Sequence, residues 1–439
     1  WSDLEALYER VIAAAESNER KTDLLAEVGI IAEEITNDTA KAVAYYERIL
    51  QLAPDHDQAT LALDTLYATQ ERWQDLAELL RRRIERAGAT DPTPLRLRLA
   101  TLLHVRLGDP KGALDELEQV CEAEPANREA RELVEKCLTH VDLRQRAAEI
   151  LEKVYLEREE IRDLVRVLEI RLEAITDEQQ LREMLQRIAE LKDERLTDDA
   201  GAFATYSRLL PLAPAELALR ERYLEIANRL SKQEEAADVL AETAKRADAP
   251  QPRAEILGEV AKIHEVAGRM DRSETVHRQI MELAPEDTAI ALPAARALEK
   301  IYVITNRPQD LAAALRVQVK LESDTPTKRD LLARLGKLAE DVLQDDAGAI
   351  TAWKERLEED PTDEEALSSL DRLYERGGDK RALVEILKKR EENTDDREAR
   401  RKFIERAAKA YVSLDAIEDA ISSYRAILDD FGADRPTLI

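Results

Sequence analysis

Glycine is scarce in this chain, with 12 residues in 439. Glycine-rich loops and successions of tight β-turns are disfavoured by that alone. Only two cysteines, Cys121 and Cys137, are present, too few for a disulfide framework. Basic residues are in deficit: 66 Lys and Arg stand against 93 Asp and Glu, a formal charge of −27. The acid is spread along the chain, and no clustered basic stripe offers itself to phosphate. Nucleic acid and an anionic membrane surface are therefore disfavoured as partners. No apolar run approaches the roughly 18 residues of a membrane span. There is no P-loop, no dinucleotide glycine pattern, no HExxH and no GxSxG. The chain opens at Trp1 without an initiator Met or a signal-like segment. It reads as a processed or excised piece whose compartment is not legible, a soluble cytoplasmic setting being favoured.

What the chain has in abundance is helix-forming sequence. Ala, Leu, Glu and Arg dominate, with 44% hydrophobic and 36% charged residues. It also has a period. Ala42 to Pro54 reads AVAYYERILQLAP: a small residue, an aromatic four later, an aliphatic at the eighth, a proline at the twelfth. Versions recur at Ala113 to Pro125, Ala202 to Pro214, Ser273 to Pro285 and Ala349 to Pro361, and Ala420 opens another that ends at Gly432. A fixed internal period is the signature of a repeat architecture.

Taken in order, Trp1 to Glu16 matches the start of Trp73 to Glu85, so the chain opens on the second helix of a hairpin. Helices are expected at Lys21 to Ile35, with Leu24, Leu25, Val28, Ile31 and Ile35 on its apolar face, and at Thr39 to Leu52. Two more follow at Asp57 to Thr69, with Leu63, Leu66 and Tyr67 inward, and at Trp73 to Ala87. Asn37-Asp38 and Leu107-Gly108-Asp109-Pro110 read as turns, and Pro54 ends its helix. After Pro125 the rhythm stretches, and three helices are expected: Arg128 to Thr139, Leu143 to Glu157 and Ile161 to Ile175. About four extra residues lie around Thr288 to Pro293. The modules run 1–20 (half a hairpin), 21–91, 92–177 with one extra helix, 178–250, 251–324, 325–394 and 395–439, and the chain stops soon after Pro436. The total is about 24 helices in one continuous array.

A helix of about 14 residues with one apolar stripe is marginal alone in water. Its hairpin partner covers part of the stripe and the next hairpin the rest, each buried leucine contributing roughly 1.5–3 kcal/mol. The fold class is all-α, a right-handed superhelix of stacked antiparallel hairpins with one concave face. Ala42, Tyr46 and Leu50 lie on the buried face, and Leu50→Ala is expected to cost about 2–5 kcal/mol. The pattern resembles the tetratricopeptide repeat family, whose motif opens its second helix on alanine, with an aromatic four later and a proline at the twelfth. Ala42, Tyr46 and Pro54 match, as do Ala202, Tyr206 and Pro214, and Ala349, Trp353 and Pro361. The alternate repeats depart from it: Leu76 and Leu383 replace the alanine, and their prolines are missing.

Cys121 and Cys137 fall at positions where other repeats carry leucine, so both read as small buried hydrophobes. A Cys137–His140 metal pair lacks the further ligands zinc needs. No metal, cofactor or catalytic group is expected. Of the five histidines, His277 occupies the place of Tyr46 and reads as packed. Arg81-Arg82-Arg83 and Lys388-Lys389-Arg390 sit at equivalent helix ends, where they suit the helix dipole or, alternatively, dock an acidic peptide. The lysine–asparagine clamp with which some members of the resembled family hold chaperone C-termini is absent from Leu61, Thr65 and Ala68 and from Ser368, Arg372 and Glu375. The candidate peptide-facing residues are Thr65, Thr69, Ser368 and Arg372. The functional expectation is a non-catalytic scaffold binding a protein or peptide, for which the acid favours a basic partner. The alternatives are a segment that self-associates through uncapped ends and a regulatory repeat region of a larger enzyme.

Overall fold

The computed structural model describes residues 1–88 and 90–432. The expected stop after Pro436 lies outside them. Among the described residues every regular element is helical, with 24 α-helices and no strand. The chain divides into two compact units, Trp1–Thr205 and Tyr206–Ile439. Within each, the dominant helix pairings join chain neighbours, so each unit is a sequential stack of helical hairpins whose cores are local.

Helix limits follow the sequence closely. Thr39–Leu52, Asp57–Thr69 and Trp73–Arg86 form the first clear stretch. The stretch after Pro125 holds Arg128–Cys137, Arg144–Glu157 and Ile161–Leu172. The additional residues near Thr288 are absorbed as helix, Thr288–Ile304 being one continuous element with Pro293 inside it.

Two inward assignments are corrected. Ile35 is 74% exposed. It ends a π turn, Ile31–Ile35, that continues the helix Asn18–Ile30. The wider turn rotates it off the apolar stripe. Leu50 is only half-buried, while Ile49 is fully buried beside Ala42 and Tyr46. Position 50 belongs to the same helical face as 42, 46 and 49, and the matching Cys121, Leu210 and Leu357 are buried; Leu50 is left half-open by the cleft that it lines with Pro54 and Leu79.

One junction recurs. A residue with φ near +50 to +60°, namely Asn37, Gly108, Thr197 or Gln344, ends the first helix of a hairpin. The next residue is Asp38, Asp109, Asp198 or Asp345. Each aspartate accepts the N–H three residues on, at 3.1, 2.9, 2.9 and 3.0 Å respectively, capping the second helix. A π turn precedes each junction. The four hairpins thus share one elbow, which sets the second helix at a fixed place against the first.

Candidate interaction surface

The stacking is fixed by a buried charge that the sequence reading missed. Asp64, on Asp57–Thr69, accepts from Arg83 of its hairpin partner at 3.4 Å and from Arg98 of the following hairpin at 2.6 Å. Asp371 repeats this with Arg390 at 2.6 Å and Arg406 at 2.6 and 2.7 Å. Glu152 is held by Arg171 and by Arg187 at 2.6 Å. Glu299 is held by Gln318 at 2.7 Å and by Arg334. The first partner is always 19 residues on and the second 34 or 35. Module 178–250 reverses the sign. Arg220, 2% exposed, takes the acid's place and donates to Glu259 at 3.2 Å and to the Pro214 carbonyl at 2.7 Å. Burial pushes the Glu259 carboxyl above its usual range although Arg220 pulls it down. Three residues after each of these five charges stands a buried tyrosine, from Tyr67 to Tyr374.

These clasps settle the two basic runs. Arg83 and Arg390 are spent on Asp64 and Asp371, Arg390 also reaches Glu364 at 2.5 Å, and Arg82 pairs with Glu78. Of these runs Arg83 and Arg390 stand in a last turn, where they suit the dipole, and both are held by internal carboxylates. His277 is buried, as expected, and meets Glu265 at 3.0 Å. Cys121 and Cys137 are buried and free. Burial pushes the Cys121 thiol up to about 11 and raises that of Cys137, the reverse of what a ligating thiolate needs. Among the described residues no cluster of His, Cys, Asp and Glu could hold a metal ion.

The four candidate peptide-facing residues turn much of their bonding capacity inward. Thr65 and Thr69 donate to the Leu61 and Leu66 carbonyls of their own helix at 3.2 and 3.0 Å. Ser368 donates to the Glu365 carbonyl at 3.1 Å. Arg372 forms a bidentate pair with the buried Glu340, at 3.0 and 2.9 Å. Thr65 and Thr69 are exposed, Ser368 is half-buried, and Arg372 is exposed across its pair.

Three residues on from Thr65, at Ala68, the surface opens. A cleft of about 570 Å³ lies between Asp57–Thr69 with Trp73–Arg86 and the helix Thr93–Leu102 with its π turn Leu103–Leu107. Its walls are Trp73, Leu76, Leu80, Leu97, Leu102 and Val105, with Ala68 at one side and Arg98, Arg106 and Glu129 at the rim. Val105 is 59% exposed, and the Arg106 guanidinium lies 5.0 Å from the Trp73 ring centre. At the matching place, between module 325–394 and the helix Arg397–Ser413, the cleft shrinks to about 110 Å³. There Lys380 replaces Trp73, Glu375 replaces Ala68, Ser413 replaces Val105, and Lys380 and Arg406 both pair with Glu375.

A family model described as the tetratricopeptide repeat matches residues 32–56. No curated protein matches the chain. Among solved structures it is similar to that of MamA, at 17% identity and a TM-score of 0.23 over 39% of this chain and 93% of that one. It is also similar to YrrB, described as a tetratricopeptide protein with an unusual peptide-binding site, at 14% identity and a TM-score of 0.24 over 42% of this chain and 90% of that one. The Cut9–Hcn1 hetero-tetramer structure matches at 14% identity and a TM-score of 0.21 over 95% of this chain and 88% of that one. The family match thus places one tetratricopeptide repeat at residues 32–56, within a succession of helical hairpins.

Proposed function

We propose that this chain is a non-catalytic scaffold that recognises a partner protein or peptide on the first helices of its hairpins, with the Trp73 cleft as the principal contact. The observation that carries this reading is the contrast between 570 and 110 Å³ at equivalent places. Modules that keep the same buried frame differ where a partner would touch. A cleft with apolar walls and a few polar groups at its rim is the usual form of a recognition pocket. The charge of −27 supports a partner whose wider surface is basic. Among the described residues no helix is long and apolar enough to cross a membrane.

The test is affinity capture by the full chain, compared with a graft that carries the other module's residues, Trp73→Lys with Val105→Ser. A protein retained by the wild type and lost by the graft, with helicity and melting unchanged, is the expected outcome. Equal capture by both moves the interaction elsewhere and ends the proposal. Sedimentation velocity separates self-association, since a groove scaffold stays monomeric across the micromolar range.

A further inference from the structure

We infer that the Trp73 cleft takes a partner segment that sets a bulky apolar side chain beside a carboxylate. This rests on the reading that the face binds a partner, and it adds the chemistry of the contact. The apolar half follows from the walls. Trp73, Leu97 and Val105 leave carbon surface open to water beside the buried Leu76, Leu80 and Leu102. The volume exceeds what one water-filled packing defect needs and suits a large side chain entering from a peptide.

The acidic half follows from the rim. Nearly every guanidinium described above is matched to a carboxylate of this chain. Arg98, at the rim, is spent on Asp64. Arg106 is exposed, rests over the Trp73 ring, and forms no ion pair among the described residues. A guanidinium stacked on an indole keeps its planar donor edge available for a carboxylate. The acid elsewhere on the chain does not cancel this contact, because exposed charges beyond about 8 Å are largely screened at physiological salt. At the matching cleft the place of Arg106 is held by Leu414 and that of Trp73 by Lys380, so that cleft has neither half of the recognition.

The experiment uses the full chain and three fluorescein-labelled 12-residue peptides. Each has one Phe in a Gly-Ser background, flanked by Glu, Ala or Lys, and binding is read by fluorescence polarisation. The Glu-flanked peptide should bind about tenfold tighter than the Lys-flanked one, as a charge-assisted pair requires. Arg106→Leu should bring the two within about twofold, Arg106→Lys should restore part of the preference, and Trp73→Lys should weaken all three. Circular dichroism melting confirms that each variant folds. Binding with no preference for Glu, or a preference that survives Arg106→Leu, overturns the inference and leaves the face reading intact. No binding of any of the three peptides at millimolar concentration removes both.

Discussion

Modules 21–91 and 325–394 are built on one frame and diverge on one face. Offset by 307 residues, Ala42 and Ala349, Tyr46 and Trp353, Asp64 and Asp371, Tyr67 and Tyr374, and Leu80 and Leu387 occupy the same places, and all ten are buried. Even Gly29 and Gly336 correspond, each lying under the aromatic ring of its hairpin. The divergence begins where burial ends. Tyr67 donates to Glu47 at 2.8 Å, and burial together with that carboxylate pushes its phenol well above the usual range. At the matching place Lys354 stands 5.7 Å from the centre of the Tyr374 ring. The Trp73 cleft likewise has its small, salt-bridged counterpart at Lys380. The lesson is that stacking restricts some positions to one shape, and the remaining positions are free to carry recognition.

The largest test of the shared frame is truncation within it. Ile49→Ala should cost about 2–5 kcal/mol, since a fully buried side chain leaves a cavity between hairpins. Leu50→Ala should cost less than half as much, because that side chain is already partly in water. Urea denaturation followed by circular dichroism ranks the two, and the reverse order would show that the stripe is misassigned.

Next comes the buried charge. Asp371→Ala removes the carboxylate that Arg390 and Arg406 share and leaves each only its pair with Glu364 or Glu375. Losing one partner of a buried pair costs about 3–5 kcal/mol, which those remaining pairs and the partial exposure of Arg406 reduce to roughly 1–3 kcal/mol. In module 178–250 the sign is opposite, so Arg220→Glu should be rescued in part by Glu259→Arg. A double-mutant cycle showing no coupling would remove the clasp from the account.

The glycines sharpen the comparison further. A Cβ at Gly336 would stand 2.5 Å from the fully buried Trp353 ring, while one at Gly29 would stand 3.0 Å from the Tyr46 ring. Gly336→Ala should cost about 1–3 kcal/mol by overpacking and Gly29→Ala less, as read by the shift in urea midpoint. Equal costs would mean that the two rings yield alike.

The smallest effect is one of pH. Burial works to raise the Asp363 carboxyl, but the Ala366 N–H and the guanidiniums of Arg329 and Arg356 outweigh it and hold it below its ordinary value of 3.8. Its contribution is complete above that value and is lost as pH falls through the depressed one. Glu259 is shifted the other way, so it opposes folding when ionised, and acidification through its raised value relieves that. Hydrogen-exchange protection, taken relative to the intrinsic rate at each pH, should fall on acidification around residues 360–366 and should not fall around 256–262. The opposite pattern would reverse both signs.

The fold was legible because burial imposes a 3.6-residue rhythm, and the small residue, aromatic and proline mark it in full at Ala42, Ala202 and Ala349. The clasps were not, because their partners lie 19 and 34 or 35 residues apart among 93 acidic and 66 basic side chains. The π turns were equally hidden, since Ile31–Ile35 keeps an apolar pattern that a straight helix would share. Thr65, Thr69, Ser368 and Arg372 were chosen by helix face alone, and none of them lines either cleft. The walls themselves come from Trp73 and Val105, on other helical segments, and only the comparison with Lys380 and Ser413 marks them.

The most direct measurement is hydrogen exchange of the full chain with and without its captured partner. Protection should rise at 65–80 and 97–106 and stay unchanged at the equivalent 372–387 and 405–414. Protection of both places alike, or of neither while the partner is bound, would contradict the claim that one cleft carries recognition on a frame that its counterpart merely shares.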